Sequence, residues 1–224
     1  MKSEKHSARH GQLIVLEGID GAGKSTHVTF IADLIRRLHG VTVLVSREPG
    51  GTPLAESLRD LLLHQPMSPT AEVLLAVAAR QDHVEKVIRP ALASGQWVVC
   101  DRFIDSTRAY QGGGGGVELG WIDSLNTVAT GGLEPDRVYL FDAPSALAAQ
   151  RRGGRNADPV RQHDQNGHAD ADRFESQGVA FFDRVRDVYL NRQRDNAAVQ
   201  TRIIDSTLSV PQIQSLLSED ISRL

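Results

Sequence analysis

The chain has 224 residues, 40% of them apolar and 24% charged, and a formal net charge of −3. That composition is ordinary for a globular protein, ample for one α/β domain with a full core and too short for two large ones. The acidic balance argues against broad nucleic-acid binding, the lone cysteine excludes an intrachain disulfide, and no apolar run approaches membrane-spanning length.

Residues 1–11 are polar and basic, without the apolar stretch of a secretory signal, and are expected to form a flexible N-terminal tail. A reducing, cytoplasmic address is the simplest expectation. Leu13-Ile14-Val15-Leu16 then reads as a strand buried on both faces. It runs into Gly18-Ile19-Asp20-Gly21-Ala22-Gly23-Lys24-Ser25, which fits G-x-x-x-x-G-K-[ST], and Thr26 follows. In this pattern the amides of a glycine-rich turn cradle phosphate oxygens, the lysine reaches the β- and γ-phosphates, and the Ser25 hydroxyl binds Mg²⁺. Val28, Ile31, Leu34, Ile35 and Leu38 share one helical face up to Gly40, so the helix aims its positive end at the phosphates. Strand, glycine turn and helix together predict binding of a nucleoside triphosphate with Mg²⁺.

A second strand, 41–45, ends in Arg47-Glu48-Pro49-Gly50-Gly51, a loop at the carboxyl edge of the sheet, where open α/β folds bind ligands. The Glu48–Pro49 bond is a candidate for the cis form. Residues 52–64 read as a short helix with Leu54, Leu58, Leu61 and Leu62 apolar and Arg59 on the polar side. Residues 70–93 read as one long helix with Arg80 among small residues. That helix could be core alone, or core on one side and subunit contact on the other. The third strand, Trp97-Val98-Val99-Cys100, places a buried thiol and ends at Asp101-Arg102. An acidic residue closing such a strand after a P-loop is the expected second Mg²⁺ partner. Five glycines, 112–116, are too flexible to form regular structure on their own and read as a mobile loop or a linker.

A helix over 117–130 leads to the fourth strand, 137–142, and a helix from about Ser145 leads into Arg151, Arg152 and Arg155. The polar stretch 153–171 has no apolar period and reads as a flap, giving a lid of about 151–171 whose arginines could neutralise charge on a transferring phosphoryl group. His163 and His168 with nearby aspartates fit no zinc spacing. A helix over 172–196, a fifth strand 201–205 and a final helix 208–224 complete the pattern. Strands alternating with helices predict a doubly wound five-stranded parallel sheet covered on both faces, in one domain spanning 12–224.

Arginines at strand ends near a triphosphate suggest a second anionic substrate, because a guanidinium grips phosphate bidentately. No N-K-x-D guanine signature occurs. The segments Glu17–Ser25, Arg47-Glu48-Pro49-Gly50-Gly51, Ala78-Ala79-Arg80, Asp101-Arg102-Phe103, Ser106–Gly112 and Asp172-Arg173-Phe174-Glu175, in this order and spacing, resemble bacterial thymidylate kinase over nearly the whole chain. The resemblance implies γ-phosphoryl transfer from ATP to dTMP in a homodimer, with a catalytic arginine in the lid. It implies that Asp20 lies near the monophosphate and sugar. Arg59 and Arg102 would hold the monophosphate, Arg80 would reach the pyrimidine O4, and Thr107 would approach the base. It further implies Tyr110 against the sugar, Gln111 and the Arg47–Glu48 pair at the substrate site, and Glu175 near the lid. The family often stacks a phenylalanine on thymine where this chain has Ala76, so another deoxynucleoside monophosphate is the second reading. A non-catalytic nucleotide sensor is the third.

Overall fold

The computed structural model describes residues 11–156, 173–174, 176–195 and 200–224. Five strands form one parallel sheet: β1 Leu13–Glu17, β2 Val43–Arg47, β3 Trp97–Asp101, β4 Arg137–Asp142 and β5 Gln200–Asp205, in the order β2-β3-β1-β4-β5. β1, β3 and β4 are apolar at almost every position because helices cover both faces of the middle of the sheet. The order reverses beside β1, so its carboxyl end opens into the crevice where such sheets bind ligands.

The helices are α1 Lys24–His39, α2 Pro53–His64, α3 Pro69–His83, α4 Arg89–Ala93, α5 Ile104–Thr107, α6 Leu119–Thr130, α7 Ser145–Asn156, α8 Val179–Asp195 and α9 Val210–Ile221. Their starts follow local chemistry. Thr52 caps α2 by accepting from the Ala55 amide, Ser68 caps α3 in the same way from Ala71, and a proline occupies the first turn of each. α1 differs. Its cap is Gly23 in the left-handed conformation with no side-chain bond, so its first-turn amides are left for an anion.

The structure departs from the sequence pattern in six places. The long helix at 70–93 is α3 and α4 joined by a π-helical turn, Val84–Ile88. The glycine run is ordered, with Arg108–Gly114 forming a second π-helical segment against which α8 packs. Its lack of side chains is what permits the approach: a Cβ at Gly113 would lie 2.8 Å from Arg184 O, and one at Gly114 would lie 2.4 Å from Phe181 Cε2. The helix expected from 172 begins at Val179, and residues 151–156 of the expected lid are the last turns of α7. Finally, Leu54, Leu61 and Leu74, expected in apolar stripes, face outward, whereas Ala55 and Leu62 are buried. Gly11 is also tied down, its amide donating to Leu92 O at 3.0 Å, while residues 1–10 of the expected tail and 157–171 of the expected lid lie outside the described residues.

Candidate active site

β1 ends in Glu17, and the turn that follows brings two glycines into backbone contact with β4 and α7. A Cβ on Gly18 (φ +136°) would sit 2.4 Å from Phe141 O, and one on Gly21 (φ +86°) 2.3 Å from Ala148 O. Glycine is therefore required by both handedness and space. Lys24 lies across the turn, its Nζ donating to Gly18 O (2.8 Å) and Ile19 O (3.2 Å). Burial, followed by the neighbouring Arg102 cation, pushes its ammonium down to about 8.

Arg102 directly follows β3 and adopts a positive φ of 73°, a conformation costing a non-glycine residue about 1–3 kcal/mol. This aims its guanidinium back at the turn. Nη1 donates to Gly18 O (3.0 Å), while Nη2 donates to Asp20 Oδ1 (2.5 Å) and the Tyr110 hydroxyl (3.1 Å). The Tyr110 hydroxyl donates in turn to Asp20 Oδ2 at 2.6 Å. Burial alone would raise the Asp20 carboxyl, but Arg102 and Lys24 outweigh it and hold the group well below the usual carboxylate range.

Two clefts adjoin here. One, about 540 Å³, is polar and lined by Gly21, Gly23, Lys24, Ser25, Arg47 and Asp101. The other, about 580 Å³, is lined by Pro49, Leu62, Leu63, Ala76, Arg80, Phe103, Thr107, Gln111 and Phe174. Asp20, Glu48, Arg59 and Arg102 line both, so two guanidinium groups stand at the junction. Such a pair of chambers suits two phosphorylated ligands meeting end to end.

Arg80 is 3% exposed and bonded through all three nitrogens, with one of its five N–H donors left over. Its Nε donates to Glu48 Oε2 (2.7 Å), Nη1 to Asn126 Oδ1 (2.5 Å), and Nη2 to Phe103 O (2.9 Å) and Thr107 Oγ1 (3.1 Å). The other Glu48 oxygen meets His83 Nδ1 at 3.1 Å, and His83 Nε2 meets Ser46 Oγ at 2.6 Å. Glu48 lines the clefts but is committed to holding Arg80. Gln111 is similarly held, its amide donating to Glu72 Oε2 at 2.9 Å. Arg47 is exposed and paired with Glu56 (3.0 Å), and Arg59 Nη1 donates to Pro49 O across the cis Glu48–Pro49 bond.

Of the arginines on α7, Arg151 Nη2 donates to Ser206 O (2.9 Å) beside Gly23. Arg152 is buried, donates to Asp20 O (2.6 Å) and lies 3.9 Å over the Phe182 ring. The side chain of Arg155, and Glu175 as a whole, lie outside the described residues. Asp101 Oδ1 is buried with no hydrogen-bond partner among the described residues, and Asp101 shares the polar cleft with Ser25. An orphan carboxylate oxygen on a residue that shares its cleft with a serine hydroxyl suits a hard cation that keeps most of its own waters.

Sequence reasoning missed Ser106, Asn126, Phe174, Glu17 and Tyr189 as members of this assembly. Glu17, Ser106 and Phe174 carried a signal, since each lies in a segment that marks the family resemblance. Asn126 and Tyr189 sit in ordinary helical contexts and are recruited only by the fold.

The comparisons with known proteins agree with this geometry. A family profile described as thymidylate kinase matches residues 16–217. Thymidylate kinase of Chromobacterium violaceum is 46% identical over 218 residues, 96% of each chain. That of Cupriavidus metallidurans is 44% identical over 214 residues, covering 96% of this chain and 99% of its own. The crystal structure of thymidylate kinase from Ehrlichia chaffeensis superposes with a TM-score of 0.72 at 30% identity, covering 95% of this chain and 98% of the other. Likeness of sequence and fold thus runs from the first strand to the last helix, and the chain belongs to the thymidylate kinase family.

Proposed function

We propose that this protein transfers the γ-phosphoryl group of ATP to dTMP, giving dTDP, with residues 12–224 acting as one nucleotide-kinase unit. The observation that carries the reading is the pair of adjoining clefts joined at Asp20, Glu48, Arg59 and Arg102, one built on the phosphate-binding turn and the other half apolar. ATP phosphates lie on the Gly18–Thr26 amides, with Lys24 released from its two carbonyls to the β- and γ-oxygens. Arg102 and Arg59 hold the acceptor phosphate in line, while Arg80 and Thr107 meet the base and Tyr110 the sugar. The acceptor is already ionised at neutral pH, so its oxygen attacks the γ-phosphorus as the bond to the β-phosphate oxygen breaks, and no general base is needed. Arg151 and Arg152 spread the developing charge. Ser25 and Asp101 would hold Mg²⁺, which when bound neutralises charge on the β- and γ-phosphates.

Exposed Leu54 and Leu61 on α2, Leu74 on α3 and Val128 on α6 support assembly as a homodimer through that flank. No described helix is long and apolar enough to cross a membrane. A cytoplasmic address without membrane or nucleic-acid partners belongs to the same proposal.

The test is ADP release with ATP and a panel of nucleoside monophosphates. Preference for dTMP, lost in Lys24→Ala with the fold retained, is expected. Preference for a different monophosphate would assign the second reading suggested by Ala76 on the cleft wall, and monophosphate-independent turnover would defeat the kinase assignment. Asp101→Asn should raise the Mg²⁺ needed for half-maximal rate by roughly tenfold.

A further inference from the structure

Glu17 is a buried carboxylate with four contacts, two of which lead on to one cation. Its Oε1 accepts from the amides of Phe103 (2.8 Å) and Ser106 (3.3 Å), and its Oε2 accepts from the hydroxyls of Ser106 (2.7 Å) and Tyr189 (2.9 Å). Those same two hydroxyls receive Arg102 Nη1, Ser106 Oγ at 3.0 Å and Tyr189 at 3.2 Å. Two hydroxyls thus bridge a buried anion and the guanidinium, and they do so along one edge of it. The Nη2 edge is left turned to Asp20 and Tyr110, on the cleft side. Without the bridge, Nη1 would keep only Gly18 O, and the guanidinium would be held chiefly through Nη2, the edge it turns to the cleft.

Tyr189 comes from α8, a helix distant in sequence from Arg102, and it lines neither cleft. It is 3% exposed, so its hydroxyl is spent entirely inside this cluster. A tyrosine placed only to fill the core would need no oxygen there, and burial of that oxygen is tolerable only because it is bonded on all sides.

We infer that Tyr189 and Ser106, backed by the Glu17 carboxylate, are positioning residues that lock one edge of Arg102 so that its other edge meets the acceptor phosphate. The inference rests on the reading that Arg102 holds the monophosphate. Removing the Tyr189 hydroxyl leaves Glu17 with three donors, so the fold is retained, while Arg102 gains freedom to rotate.

Tyr189→Phe should raise KM for dTMP about tenfold, the weight of a hydrogen bond to a charged group, and leave KM for ATP within about twofold. Thymidine, which lacks the phosphate, should inhibit the variant and the parent equally. An unchanged KM for dTMP, an equal rise for ATP, or equal weakening of dTMP and thymidine would overturn the inference. Should Tyr189→Phe fail to fold, Ser106→Ala removes the other bridge and is read by the same three constants. Arg102→Lys separates the two levels: if it leaves KM for dTMP unchanged, the reading of Arg102 itself fails. If it raises that KM while both hydroxyl variants do not, only the positioning role fails.

Discussion

Replacing Glu48 tests the buried chain Ser46–His83–Glu48–Arg80 at its centre. Glu48 is 2% exposed at the cleft wall and His83 is fully buried, so His83 cannot borrow water when its partner is lost. A carboxylate only accepts, so His83 Nδ1 carries the proton toward Glu48, and in the neutral ring Nε2 accepts from the Ser46 hydroxyl. Glu48→Ala strands two buried donors, one of them charged, and should cost about 3–5 kcal/mol. Glu48→Gln behaves differently. The introduced amide oxygen accepts from Arg80 Nε and its NH₂ donates to His83 Nδ1 once the ring changes tautomer. Nε2–H then donates to Ser46 Oγ. Every bond survives, reversed in direction beyond the amide, and only the charge opposite Arg80 is lost, costing about 1–2 kcal/mol. For a chain of this size each kcal/mol shifts Tm by about 2–4 °C, so Glu48→Ala should lower it by about 6–20 °C and Glu48→Gln by about 2–8 °C. Urea unfolding followed by circular dichroism, with calorimetry alongside, reads both. Equal losses in the two variants, or a loss below about 1 kcal/mol for Glu48→Ala, would refute the chain as drawn.

Lys24, pushed down to about 8 in the free site, is drawn back up by polyphosphate, so ATP binding takes up a proton. Affinity is then full below pH 8 and falls above it, with Kd for ATP rising about tenfold from pH 7 to 9 by titration calorimetry and remaining flat in Lys24→Arg. A flat wild-type profile would contradict the buried-lysine account. Gly21→Ala forces a Cβ to within 2.3 Å of Ala148 O, so the turn or α7 must move. A displacement on the order of 1 Å should lower kcat/KM for ATP about 100-fold, and activity within about threefold of wild type would show the approach to be slack.

Much of this was legible in the sequence for definite reasons. The runs at 13–16, 97–100 and 138–141 lie in strands covered on both faces, and burial on both sides leaves an unbroken apolar signature. The glycine turn is legible because its amides need a fixed spacing. What the sequence hid lies in long-range pairing. The order β2-β3-β1-β4-β5 depends on crossovers that alternation alone does not encode. Leu54, Leu61 and Leu74 satisfy a helical period yet face outward, because periodicity finds a stripe without saying what it packs against. Glu48 looked like a ligand contact from its place after a strand, and only the fold brings Arg80 and His83 to its two oxygens. Tyr189 lay beyond reach for the same reason: its hydroxyl meets Glu17, 172 positions away.

The packed glycine tract bears on how this protein tolerates change. At each of positions 112–115 a Cβ would meet a neighbour within 2.4–2.8 Å, whereas Gly116 has open space around it and is restrained only by its φ of +75°. In a saturation library 113–115 should reject side chains, Gly112 should pass alanine because only the Leu119 side-chain end stands in the way, and Gly116 should still accept asparagine, which visits left-handed backbone readily. Gly113 and Gly114 are the two that abut α8, which carries Tyr189, so substitutions there would register first as weakened monophosphate capture and only later as lost solubility. The middle of a stretch that looks like a dispensable spacer is instead the bearing surface on which that helix is seated.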